Sequence, residues 1–205
     1  MGKAPQFCDH KITTMETLPK EQLLNSLEHL VDGHLQQAIR HFQNMTAHDL
    51  LQPAYNGGWS IAQCLDHLNS YGHYYLPKIQ QGIAKNIHLP PKDTFKSSWL
   101  GAYFIKMMDP ETGKKKYKAF KGHIPAPDLD AYAVVAEFIQ QQENLLIYLK
   151  EARSTDLNAI RIPISIARFI TLKLGDVFQF VIAHNERHIR QAMRNVTDIN
   201  KRILH

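Results

Sequence analysis

The sequence predicts an all-α fold, a helical bundle, and three observations carry that prediction. Four separate stretches place apolar residues at three-to-four spacing, the sign of one buried helical face. Helix-start signals precede them. No stretch sustains an alternation of period two, so a sheet is not expected.

Taken in order, Leu18-Pro19-Lys20 opens the first helix, with Thr17 as the expected N-cap and proline in the first turn. Leu24, Leu27, Val31, Leu35, Ala38, Phe42 and Met45 then form its buried stripe. Gln52-Pro53 and Asn56-Gly57-Gly58 break the pattern. The second helix starts at Trp59-Ser60-Ile61-Ala62-Gln63, where Ser60 and Gln63 form an S-x-x-Q capping box and Trp59 stands in the staple position. It runs through Leu65, Leu68 and Tyr75 until Pro77, which is expected to kink or end it.

Residues 86–129 differ in character. Five prolines and Lys114, Lys115, Lys116, Lys118 and Lys121 crowd this stretch, with a short helix expected over Ser98–Met108. A connection of this length inside a domain is unusual. Asp130–Lys150 is helical again, striped by Val134, Val135, Phe138, Leu145, Leu146 and Leu149. After the linker at Arg161-Ile162-Pro163, Thr171 is expected to cap a last long helix with Leu174, Val177, Phe178, Val181, Ile182 and Ile189 on its apolar side. Four strong helices and one long crossover, between the second and third of them, make a four-helix bundle. The organisation expected is one domain over 1–205 with a Pro/Lys-rich insertion at about 86–129.

The bulk properties narrow the function. The 205 residues carry 44% hydrophobic and 21% charged side chains, ordinary for a globular chain long enough to bury a real core. A net charge of +5 inclines it towards acidic ligands without amounting to a nucleic-acid signature. Cys8 and Cys64 are the only cysteines, which argues against a disulfide framework and for a reducing compartment. The first residues lack a secretory pattern and no run is apolar enough to span a bilayer, so a cytoplasmic location is expected.

The residues that carry chemistry are histidines. His184 and His188 are four apart on the last helix and share one face at roughly 100° per residue. They fall in the arc of Leu174, Val177 and Val181, so both point inward. Two inward imidazoles one turn apart can place their nitrogens about 2.1 Å from one metal ion. They can equally be core histidines satisfied by hydrogen bonds. Glu186 lies on the other side of that helix, so this is not the H-E-x-x-H of metalloproteases, and it is no general base.

His67 is the best-placed third ligand, although periodicity alone leaves it at the border of the stripe of Ile61, Leu65 and Leu68. His34 falls inside the arc of Leu27, Leu30 and Val31, where a core hydrogen bond suits it better than ligation. Cys64 reads as a small core residue. Tyr71, Tyr74, Tyr75 and Trp99 could line a pocket or simply pack, and no residue earns a catalytic role.

The segment Trp59-Ser60-Ile61-Ala62-Gln63-Cys64-Leu65-Asp66-His67-Leu68, together with His184-Asn185-Glu186-Arg187-His188-Ile189-Arg190-Gln191, resembles the DinB/YfiT-like superfamily. That family carries W-S-x-x-[EQ]-x-L-x-H-L at its second helix and H-x-x-x-H-x-x-Q in its last core helix. The likeness runs from about Leu18 to Gln191. It implies a four-helix bundle with a long crossover and a three-histidine site on His67, His184 and His188 for one divalent ion, nickel or zinc. It also implies an enzyme that uses a low-molecular-weight thiol, foremost a transferase, acting on a small-molecule substrate, with an anionic one favoured by the basic crossover. Homodimers are common in such families. A metal-dependent hydrolase and a non-catalytic metal-binding or interaction module are the alternatives, and a nucleic-acid binder ranks last.

Overall fold

A computed structural model describes residues 16–111 and 118–203. Four helices make the bundle: α1 (Lys20–Gln37), α3 (Ile61–Asn86), α5 (Ala131–Glu151) and α6 (Leu174–Ile203). A short α2 (Ala47–Leu51) lies between the first two, and α4 (Trp99–Met108) lies within the crossover. Both α1 and α3 pack against α5 and α6, so α1 and α3 face each other across the bundle. The crossover carries α4 onto α6 before the chain returns to α5.

Several starts follow local chemistry. At α3 the Ser60 hydroxyl accepts from Gln63 N and the Gln63 side chain accepts from Ser60 N, the reciprocal box that its sequence spacing announces. Gly57, at φ 72°, turns the chain ahead of it. Asp130 caps α5 through Tyr132 N and Ala133 N, and Ser98 caps α4.

Other expectations are corrected. Thr17 is no N-cap: it lies in β1 (Thr17–Pro19), paired antiparallel with β2 (Thr94–Lys96), and α1 begins after Pro19 without a side-chain cap. Instead, the buried Lys20 ammonium donates to Arg153 O and Thr155 O, tying the start of α1 to the end of α5. Thr171 is no cap either. It pairs with Pro163 in a second ribbon, β3 (Arg161–Ile164) against β4 (Ala167–Lys173), and α6 starts at Leu174. β1 and β2 are three residues each, too short for an alternation to stand out, and long-range pairing decides them. β3 and β4 form a local hairpin that does alternate, with Ile162, Ile164 and Leu172 buried and Arg161 and Thr171 exposed. Pro77 neither ends nor interrupts α3, which continues to Asn86. Tyr75, Leu76, Ile79 and Ile83 are buried around it, and this packing outweighs the one hydrogen bond that proline forfeits. The stripe of α1 extends beyond Gln37 through a wider π turn, Ala38–Phe42. Of the lysine cluster, Lys114, Lys115 and Lys116 lie outside the described residues, and Lys118 and Lys121 are exposed.

The core is in two parts with a polar layer between them. One apolar cluster gathers Leu24, Val31, Tyr75, Leu145, Val177 and Ile182; the other gathers Phe42, Ile61, Leu65, Leu68, Phe138 and Ile189. Each bundle helix passes from one cluster to the other through buried polar residues: His34 on α1, His67 and Asn69 on α3, Gln141 and Gln142 on α5, His184 and Asn185 on α6. Buried polar side chains demand partners. Asn69 Nδ2 donates to Val134 O at 3.0 Å, Gln141 Nε2 to Asn69 O at 3.2 Å, and Asn185 Nδ2 to Gln142 Oε1 at 3.1 Å.

Close approach fixes α4 on α6. Asp176, fully buried, accepts from Ser98 N and from Ser98 Oγ at 2.7 Å, and a Cβ on Gly101 would stand 2.1 Å from its Cγ. Gly101→Ala is therefore expected to destabilise the protein by about 1–3 kcal/mol. Thermal melting would register this as a fall of roughly 2–4 °C per kcal/mol, and an unchanged melting temperature would contradict the packing.

Asp156 offers a second check. Burial pushes its carboxyl pKa up, but hydrogen bonds from Asn158 and the Lys92 ammonium prevail and hold it below the usual 3.8. A depressed folded-state value stabilises the fold above the unfolded value and ceases to do so as pH falls through the folded one. Asp156→Asn should lower the melting temperature at pH 7, with the deficit shrinking as the pH falls through 3.8. A deficit constant with pH would exclude this linkage.

Candidate metal centre

His67 reaches the polar layer from the second turn of α3, and His184 and His188 reach it from successive turns of α6. Their ligand atoms all lie within 4.8 Å of one another. His67 Nε2 and His184 Nε2 are 3.2 Å apart. Two nitrogens about 2.1 Å from one ion, at tetrahedral to right angles, are separated by about 3.0–3.4 Å, so this pair already has the spacing of co-ligands. The rings form a nearly equilateral triangle, with centroids 5.0, 4.7 and 4.9 Å apart and planes at 81°, 68° and 82°.

Burial makes these imidazoles neutral. It pushes His67 down to about 4 and His188 to about 3, and it carries His184 well below the ordinary value, with the other rings adding to the effect at His184 and His188. A neutral ring keeps one nitrogen lone pair at physiological pH, as a ligand must. The partners select which one. His67 Nδ1 is 2.6 Å from the His123 main-chain oxygen, and His188 Nδ1 is 3.0 Å from Gln191 Oε1. A proton on each Nδ1 satisfies those oxygens and leaves Nε2 free, the arrangement in which outer partners orient metal-ligating histidines. The donor set thus fits a divalent cation that accepts imidazole.

Aromatic walls surround the triangle. Trp59 stands 4.8 Å from the His67 ring and 5.8 Å from that of His188, so the residue in the staple position also covers the centre. Tyr71 meets His184 at 4.4 Å, and Phe180 lies nearly parallel to His184 at 6.0 Å. Tyr75 is core, Tyr74 donates to Ile164 O, and Trp99 is an exposed residue of α4. An open cleft lined by Leu51, Ser60, Gln63 and residues 127–130 includes none of the three histidines. His188, only half-buried, is the accessible member of the set.

Glu186 does face away from the centre. It accepts from Arg190 Nε and lies 2.7 Å from His34 Nε2. Its burial raises its pKa, yet these two partners win and draw it down to about 2, leaving no basicity for proton abstraction. His34 is the inward residue that its arc indicates, engaged in this hydrogen bond. Periodicity placed His67 at the edge of its helix stripe, whereas it is 4% exposed, because the crossover covers it. His123 and Ser70 had no sequence signal: His123 belongs to a three-residue turn in a polar, proline-rich stretch.

A four-helix bundle with a buried three-histidine cluster between its second and last long helices defines the class. The sequence model of the DinB superfamily matches residues 30–192, which include all three histidines, and the chain belongs to that superfamily. Among solved structures it is similar to YfiT from Bacillus subtilis, described as "a probable metal-dependent hydrolase with an unusual four-helix bundle topology". The identity is 14% and the TM-score 0.49, over 98% of this chain and 93% of that one. No curated protein matches. Among the described residues no helix is long and apolar enough to cross a membrane.

Cys64, one turn before His67, is fully buried, and burial pushes its thiol up to about 12. A protonated, enclosed thiol is inert. Peptide mapping after iodoacetamide treatment of the native protein at pH 8 should find Cys64 unmodified, with labelling only after unfolding. Rapid native labelling would place it in an open site.

Proposed function

We propose that His67, His184 and His188 hold one divalent transition-metal ion, nickel or zinc, and that the protein is an enzyme transferring an electrophilic group to a low-molecular-weight thiol. The observation that carries this reading is the convergence of three neutral imidazoles, edge-on to one another, in an otherwise packed bundle. A divalent ion bound there would supply positive charge that lowers the pKa of a water or thiol in its open position.

The chain's own residues favour a thiol over water. Glu186 is committed to His34 and Arg190 and is no general base for the centre, and a thiol kept as thiolate needs none. The sulfur forms the new bond to an electrophilic carbon as the leaving group departs with its electron pair. Trp59 and Tyr71 exclude bulk water from the histidines. The positive charges of Arg187 and Arg194, which help keep His188 unprotonated, favour an anionic, carboxylate-bearing thiol or substrate. A cytoplasmic homodimer built on one domain completes this proposal.

A second reading, an ion that only braces the bundle, is favoured by the depth of the centre, since His67 and His184 are 4% and 3% exposed. A hydrolase would use water as the nucleophile, without Glu186 as its base.

Metal analysis of protein purified without a polyhistidine tag or added metal should find about one nickel or zinc per chain. The His184→Ala/His188→Ala variant should lose it while its helical circular dichroism survives. Wild-type protein that neither contains nor takes up either metal would defeat the proposal. With metal present, electrophiles consumed only with a small thiol identify the transferase. Consumption without thiol identifies a hydrolase, and no consumption favours the brace.

A further inference from the structure

We propose that the crossover turn Lys121–His123 is a positioning clasp for the metal centre, acting through His67; this rests on the reading of His67, His184 and His188 as ligands. The turn contributes no fully buried residue of its own, and its one ring contact with α3 is His123 on Tyr71, so the hydrophobic effect explains little of why it docks there. Polar contacts on either side of His67 explain it. Asp66 Oδ2 accepts from Ala126 N at 3.1 Å, and Ser70 meets the His123 ring.

Three hydrogen bonds close a cycle between α3 and the turn. His67 Nδ1 is 2.6 Å from His123 O, and a carbonyl can only accept, so the proton is on Nδ1. Ser70 Oγ is 2.7 Å from His67 O and 2.9 Å from His123 Nδ1. A hydroxyl has one proton, and His67 O must receive it, so the remaining bond runs from His123 Nδ1–H to Ser70 Oγ. The His123 ring also lies flat on Tyr71, with centroids 3.8 Å apart and planes at 22°. Each member of the cycle thereby fixes the next.

The consequence falls on His67. With its proton held on Nδ1, the lone pair is on Nε2, the nitrogen 3.2 Å from His184 Nε2. The other tautomer would point an N–H at the shared position and could not ligate an ion there. His123 is therefore a positioning residue: its carbonyl selects the metal-competent tautomer, and its ring anchors that carbonyl against Ser70 and Tyr71. Loss of such outer partners weakens metal binding by about 10–100-fold.

The test uses Ser70→Ala, His123→Phe, which keeps a flat ring on Tyr71 but no donor, and His123→Asn, which keeps an N–H donor without the ring. Zinc affinity is measured by chelator competition, and the proton position on His67 by long-range ¹H–¹⁵N NMR of the metal-free protein. Wild type should show a single Nδ1–H tautomer at His67. Ser70→Ala and His123→Phe should bind zinc about 10–100-fold more weakly and mix tautomers, with His123→Asn recovering part of the loss. Wild-type His67 protonated on Nε2 would overturn the clasp whatever the variants do. So would zinc binding by both Ser70→Ala and His123→Phe within about twofold of wild type. Wild type that binds no zinc would defeat the ligand reading, whereas zinc-binding wild type with indifferent variants would defeat the clasp alone.

Discussion

The polar layer between the two apolar clusters is the constraint from which the rest of this structure follows. His34, His67, Asn69, Gln141, Gln142, His184 and Asn185 are all buried, in the middle of a bundle whose ends are filled by leucine, isoleucine and phenylalanine. An unsatisfied buried polar group costs about 1–3 kcal/mol, so a layer of this size is compatible with folding only if its members partner one another. Most of their polar atoms do so across helices: Asn69 and Gln141 join α3 to α5, Asn185 and Gln142 join α6 to α5, and His34 and Glu186 join α1 to α6, while His34 Nδ1 and Asn69 Oδ1 have no partner among the described residues. Directional bonds of this kind set the axial register of the helices more sharply than apolar packing can. The histidine triangle inherits that register.

The same layer explains why the centre is suited to a cation and poor in other chemistry. Desolvation keeps the three rings neutral, and an uncharged donor set leaves a divalent ion its full charge. The carboxylate between the two α6 histidines, Glu186, is turned to α1 and held by His34 and Arg190. Under the proposed function, a reaction at this centre would draw on a bound ion, the nucleophile and the surrounding aromatic walls, with access from the side of His188.

The crossover has two unlike roles. Through Ser98, Gly101 and Asp176, α4 is locked onto α6 by close packing and a buried carboxylate. Through His123, the following turn is held by hydrogen bonds and by one ring stacked on Tyr71, and it reaches the centre at His67. A segment that looks from its composition like a solvated loop thus forms part of the wall of the site.

What the sequence determined by itself is everything that rests on neighbours within about one or two helical turns. The capping box at Ser60 and Gln63, the four amphipathic stripes, and the shared face of His184 and His188 are set by backbone geometry, and each is legible from spacing. The motif pair also places His67 with them. What only the tertiary structure decided rests on segments far apart in the chain. Pro77 stays within a helix because the bundle packs around it, and Thr17 joins a ribbon because a strand far downstream, Thr94–Lys96, pairs with it. His67 is buried because a turn more than fifty residues downstream covers it, as the His67–His123 bond shows. Those outcomes depend on which surfaces meet, a matter of non-local packing that periodicity along one helix does not contain.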